Sequence, residues 1–345
     1  AGRTERFFFR PTEYSDMSDP PGDGEDDGDD ATWGADTDTD PDDEAGWDLG
    51  TESDDDAEWG SDDDAGAASG SDTEWEVGVD EVGPDADGGG PDLWNHVKLV
   101  GGGLLVVVFA FVLGIGVLLL MGLGISAAGI ELTDTDLLFV SLIGLQGIAF
   151  PVTAYGYLRY TGRSVREFIP VRWPSILEAL LVLGATIGAF VLAYATILVV
   201  VFGLGLEAAS NSAGETVQEN PEIVPYLLPF VLVLNGPGEE LLFRGVLQGR
   251  FRESYSAPVA IVLATLMFAP AHIVALTGSL QQALVTIAIL SVPSLVFGAV
   301  YEYTGNFVVP ALVHGLYNSI LFGLVYVASV YDLQGSEFIA LASLA

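Results

Sequence analysis

The chain has 345 residues, 48 Asp and Glu against 11 Lys and Arg, no cysteine and a formal net charge of −37, yet half of it is hydrophobic. So much charge and so much apolar surface cannot share one fold, so the chain must divide. Zero cysteine excludes a disulfide scaffold, a thiol nucleophile, an iron–sulfur cluster and a Cys-ligated zinc site, and the acidity argues against nucleic-acid binding, which needs a basic patch to displace counterions.

Residues 1–97 hold 33 acids and 3 bases, a net of −30. From Asp16 to Asp92 the composition is Asp, Gly, Glu, Ser, Thr and Pro with few aliphatics. Such a segment buries too little apolar area to offset chain entropy, so 1–97 is expected to be a disordered acidic tail. Trp33, Trp47, Trp59 and Trp75 recur in it at spacings of 14, 12 and 16. The irregularity excludes a solenoid. A solvated tail is the plainer reading, and short motifs docking on a cytoplasmic partner are the sharper one. Arg3, Arg6 and Arg10 surround Phe7–Phe9, an apolar run too short for a signal peptide.

Residues 98–345 hold 15 acids and 8 bases, a net of −7. Seven stretches approach the ~20 apolar residues a spanning helix needs: 99–125, 136–158, 175–202, 223–250, 257–276, 281–301 and 306–331. The expected fold is therefore all-α, a polytopic membrane helix bundle of about seven transmembrane helices, with 98–345 as its domain. The fourth stretch is the weakest by hydropathy, because it carries charges and Pro237. The 159–172 connection holds Arg159, Arg163, Arg166 and Arg172, and Arg250 and Arg252 follow the fourth stretch. The positive-inside rule makes both connections cytoplasmic. The 126–135 and 203–222 loops carry acids and no Lys or Arg, so they face outward. Seven spans then put the N-terminus in the cytoplasm and the C-terminus outside, as a multi-pass protein of the cell membrane.

Ionisable groups inside lipid are costly and point to function. Span four holds Glu239, Glu240 and Arg244; span five holds His272 one turn after Phe268; span seven holds His314 and, one turn on, Asn318. Glu240 and Arg244 form an i,i+4 pair in the favoured order and read as a structural ion pair. Glu239 lies about 100° round the helix and is freer to face a cavity. Phe268 reads as packing. At about 1.5 Å per residue from the cytoplasmic ends, Glu239 lies about 17–20 Å deep, His272 about 22 Å, His314 about 12 Å and Asn318 about 18 Å, so the four can meet.

A carboxylate and an imidazole near one water make a general base. A second histidine and an amide could stabilise an oxyanion. Glu239, His272 and His314 could instead ligate a divalent metal such as zinc. Either arrangement predicts peptide hydrolysis within the membrane. The competing readings are a transporter or proton relay, which predicts an inverted repeat that the sequence does not display, and a non-catalytic membrane scaffold.

Glu239-Glu240-Xaa-Xaa-Xaa-Arg244, Phe268-Xaa-Xaa-Xaa-His272 and His314-Xaa-Xaa-Xaa-Asn318, in this order and each in its own hydrophobic stretch, resemble the CAAX protease and bacteriocin-processing (CPBP, or Abi) family of intramembrane proteases. The resemblance covers about 175–330 and leaves the acidic tail unaccounted for. It implies an all-α membrane fold with an active site inside the bundle, Glu239 and His272 activating water, and His314 and Asn318 binding the oxyanion. It implies a membrane-associated peptide or protein substrate that can be lipid-modified. Family members are often called metalloproteases, and a metal-free glutamate mechanism is also proposed.

Overall fold

The computed structural model describes residues 93–331. Of the expected disordered tail, 1–97, the part up to residue 92 lies outside the described residues, as does the C-terminal 332–345, whereas Leu93–Val97 are helical and open the first helix instead. What is described is a helix bundle with a single two-residue strand pair.

Six helices are long and apolar enough to cross a membrane: α1 (Leu93–Ala127), α2 (Asp134–Tyr160), α4 (Ile176–Gly203), α7 (Ala257–Ala275), α8 (Leu280–Thr304) and α9 (Val308–Val330). Short helices α3 (Val165–Phe168) and α5 (Ser212–Glu219) lie between them. The remaining expected span, 223–250, is also helical. It forms α6, a run of α, 3₁₀ and π segments over 221–252. Its polarity excludes it from a count based on hydropathy, and its burial explains why it tolerates that polarity.

Local chemistry sets the boundaries. Reciprocal capping boxes start α2 (Thr133 with Asp136), α4 (Ser175 with Glu178) and α8 (Ser279 with Gln282), each satisfying orphan backbone amides. Gly305 ends α8 in the left-handed region at φ 54°, where a side chain would be strained. Within α6, Pro237 has no N–H to give to the preceding turn. A π segment, Val231–Asn235, precedes it, and the Gly236 amide reaches back five residues to the Val231 carbonyl. The widened turn lets the helix pass through the proline without breaking.

Two glycines bring α6 close to its neighbours. A Cβ on Gly236 would stand 2.7 Å from the Gly315 amide nitrogen in α9, and one on Gly238 would collide with the Gln146 carbonyl in α2. The backbones of three helices therefore meet beside Glu239. Around this contact, Phe243, Leu247 and Phe251 of α6 pack with Val106, Val107 and Ala110 of α1 and with Ala264 and Phe268 of α7. A second cluster joins α4, α8 and α9 through Ala189, Ala193, Phe297 and Val313.

The arginine-rich connections gather at one end of the bundle. Arg163 pairs with Glu253 at 2.6 Å, Arg252 with Glu302 at 2.8 Å, and Arg172 Nη2 donates to the Thr304 carbonyl at 3.3 Å. At the opposite end, β1 (Ser210–Asn211) pairs antiparallel with β2 (Leu276–Thr277), and Gln282 donates to Glu207 at 2.9 Å. The 203–212 loop is thus tied to the turn between α7 and α8.

Candidate active site

Helix α6 brings the carboxylates to the centre, α7 and α9 bring the imidazoles, and α2 closes the fourth side. Glu239 is 7% exposed, Glu240 0%, Arg244 1% and His314 3%. Full burial of so many ionisable groups requires partners for each.

Glu240 and Arg244 form the expected pair, at 2.6 Å. Arg244 is further held by the Ser294 carbonyl at 2.9 Å and the Ser294 hydroxyl at 2.8 Å, and its guanidinium lies 4.5 Å over the Phe268 ring. Phe268 is therefore more than filler. Its ring meets Arg244, His272 (4.7 Å) and His314 (5.7 Å), and so packs against the ion pair's guanidinium and both imidazoles. The Phe297 ring stacks on His314 at 4.6 Å.

The same Glu240 oxygen that binds Arg244 lies 2.8 Å from His314 Nδ1. A carboxylate paired with a guanidinium can only accept, so His314 Nδ1 carries the hydrogen. His272 Nδ1 lies 3.0 Å from the Phe268 carbonyl, which also only accepts. Both histidines are thereby oriented through Nδ1, and in the neutral form both present an Nε2 lone pair. These nitrogens face one atom: Glu239 Oε2 lies 3.8 Å from His272 Nε2 and 3.9 Å from His314 Nε2. That oxygen is buried and has no direct hydrogen-bond partner among the described residues. The other oxygen, Oε1, accepts from Asn235 Nδ2 at 2.9 Å and Gln146 Nε2 at 3.4 Å. Asn318 Nδ2 in turn donates to Asn235 Oδ1 at 2.6 Å.

The structure thus brings Glu239, His272, His314 and Asn318 together, with Glu240, Arg244 and Phe268 behind them. A cavity of about 870 Å³ contains the four, together with Asn235 and Gln146. One wall is apolar, from Phe111, Ile115 and Leu118 of α1. The cavity extends to Asp134, Ser212, Glu215 and Glu219, at the end of the bundle away from the arginines.

Sequence reasoning missed Asn235, Gln146, Ser294 and Phe297. Asn235 carried a signal, being polar and one turn before Glu239 on the same face. Gln146 is the lone amide in an apolar run from Leu142 to Phe150. Ser294 and Phe297 have no such mark.

A carboxylate with two imidazoles is a donor set that zinc takes. The O···N separations of 3.8 and 3.9 Å exceed the edge of about 3.4 Å in a tetrahedral site with bonds of about 2.1 Å. Among the described residues, no three acidic or imidazole groups are close enough together to hold an ion. As they stand, the residues do not fit a divalent metal.

Residues 221–320 match the family model described as Type II CAAX prenyl endopeptidase Rce1-like. The matched stretch runs from the start of α6 into α9 and includes all three motifs. It is consistent with the CPBP family that the motifs resemble. No curated protein and no solved structure matches the chain.

Proposed function

We propose, taking the Rce1-like match over residues 221–320 as premise, that this multi-pass membrane protein hydrolyses a peptide bond with a water activated by Glu239 and His272. The family match supports a CAAX-type intramembrane endopeptidase. The observation that carries the mechanism is the convergence of Glu239 Oε2 with two Nε2 lone pairs at 3.8 and 3.9 Å. A water oxygen placed between Glu239 Oε2 and His272 Nε2, 3.8 Å apart, can stand about 2.8 Å from both and give each one of its two hydrogens.

In the reaction, Glu239 Oε2 takes a proton from that water as its oxygen bonds to the substrate carbonyl carbon. The carbonyl oxygen becomes an oxyanion, and Asn318, one of whose amide hydrogens is free of the bond to Asn235, can donate to it. His314 can add to this only when its Nε2 carries a hydrogen. The C–N bond then breaks, and the proton held by Glu239 passes to the leaving amine. Carboxylate, water and proton balance without a further reactant.

The substrate class follows from the family match: a membrane-associated peptide or protein, lipid-modified in the CAAX case. The apolar wall of α1 in the cavity suits a hydrocarbon chain. Glu239→Gln keeps the shape and both hydrogen-bond neighbours but removes the base. It should lower cleavage of a farnesylated CAAX peptide by about 10³-fold or more with the detergent melting temperature unchanged. Full activity in that variant would end the assignment.

The gathering of arginines at one end supports a cytoplasmic placement of that end, and with it of the acidic tail. Because the chain lacks cysteine, single cysteines at Ser164, which is exposed and makes no side-chain cap bond, and Asn220 are clean probes. In right-side-out vesicles an impermeant maleimide should label the second and spare the first. The opposite pattern would invert the topology.

A further inference from the structure

Glu239 and Asn318 have been given separate tasks, and Asn235 stands between them. Its Nδ2 donates to Glu239 Oε1 at 2.9 Å, and its Oδ1 accepts from Asn318 Nδ2 at 2.6 Å. The direction of both bonds is dictated by charge. An ionised carboxylate only accepts, so Asn235 must turn its NH₂ to Glu239 and its oxygen to Asn318. Asn318 must then turn its own NH₂ to Asn235.

Two consequences follow for the proposed reaction. With Oε1 engaged by Asn235, Oε2 is the oxygen left to face His272 and His314. With one Asn318 hydrogen committed to Asn235, the second is held in a fixed direction. The backbone supports this placement. Asn235 closes the π segment before Pro237 and lies one turn ahead of Glu239, so the adjustment that admits the proline also sets the amide beside the carboxylate.

We propose that Asn235 is a positioning residue that couples the general base to the oxyanion donor, aiming Glu239 Oε2 and the free Asn318 N–H at one reacting carbonyl. The proposal rests on the reading of Glu239 as base. Asparagine suits the place because one short side chain must both accept and donate. Leucine keeps the volume and loses both bonds. Aspartate keeps the bond from Asn318 but sets a second carboxylate against Glu239, and two carboxylates at hydrogen-bond distance share a proton.

The test uses the purified full chain and an internally quenched peptide with a farnesylated CAAX end. In Asn235→Asp, the acid limb of the kcat/KM profile should move up by about one pH unit or more. In Asn235→Leu, kcat should fall about 10- to 100-fold with KM changed less than about threefold, because orientation and not binding is lost. Asn235→Leu combined with Asn318→Ala should cost little beyond Asn318→Ala alone, since the two act as a unit. The titration can also be followed without substrate, by the carboxyl infrared band that Glu239→Gln removes. An unmoved acid limb and band in Asn235→Asp would overturn the proposal. If that variant does not fold, additive losses in the leucine cycle would overturn it instead. An active Glu239→Gln variant sinks the catalytic reading itself, whereas an inactive one beside an unmoved limb sinks only the role of Asn235.

Discussion

Helices α1 and α9 are both long enough to cross a membrane, and they are opposites in every other respect. The most apolar stretch of α1 has mean hydropathy 3.2 and is 22% buried in protein; that of α9 has 1.7 and is 56% buried. Helix α4 follows α1, at 2.4 and 22%. Helix α6 extends the trend, since it carries Glu239, Glu240, Arg244 and Gln248, all buried. In water the apolar segments go inside. In lipid an apolar surface loses nothing by facing out, so protein interior is where polar groups can be satisfied. The least hydrophobic helices are consequently the central ones, and the chemistry is found there.

The sharpest way to break this comparison is to disturb a charge in the central helices. Arg244→Met leaves Glu240, which is fully buried, with only His314 beside it. Losing one partner of such a pair should cost about 3–5 kcal/mol, enough to abolish recovery of folded protein. Glu240→Gln with Arg244→Met removes both charges at similar volume and should recover most of that stability. It should not recover full activity, because a glutamine oxygen holds the His314 ring less strongly than a carboxylate does. Thermal melting in detergent, read beside peptide cleavage, checks both halves. If the single variant melts like the wild type, the pair does not matter to the fold.

Much of this organisation could be read from the residues. Hydropathy located the lipid-facing helices, because composition alone decides whether a segment tolerates lipid. The isolated polar residues located the site, because a histidine or glutamate in an apolar span has to be partnered. The i,i+4 rule placed Glu240 on Arg244 and freed Glu239 for the cavity, and the structure has both. What it could not supply were contacts between helices distant in sequence. Nothing local indicates that Ser294 holds Arg244 from 50 residues away, that Phe297 stacks on His314, or that Gln146 reaches Glu239 across 93 residues. The π segment Val231–Asn235 was also out of reach, since it answers to Pro237 rather than to any periodicity. The second role of Glu240, bonding His314 as well as Arg244, needed the packing of α9 against α6 to become visible.

The smallest expected effect is the most direct check of the contrast between lipid-facing and central helices. Val112 in α1 is 61% exposed, whereas Val313 in α9 is 0% exposed, and each can be cut to alanine with the same loss of atoms. At Val313 the truncation leaves a cavity among Val182, Phe297 and Val309 of its cluster and should cost about 1–3 kcal/mol. At Val112 the missing methyls are replaced by lipid or detergent tails, so the change should stay within about 0.5 kcal/mol. Soluble-protein reasoning applied to hydropathy alone would rank the two sites the other way, since α1 is the more hydrophobic helix. Equal losses at the two positions would mean that α1 is covered by protein in the native membrane, and its exposed face would then be an interface rather than a lipid contact.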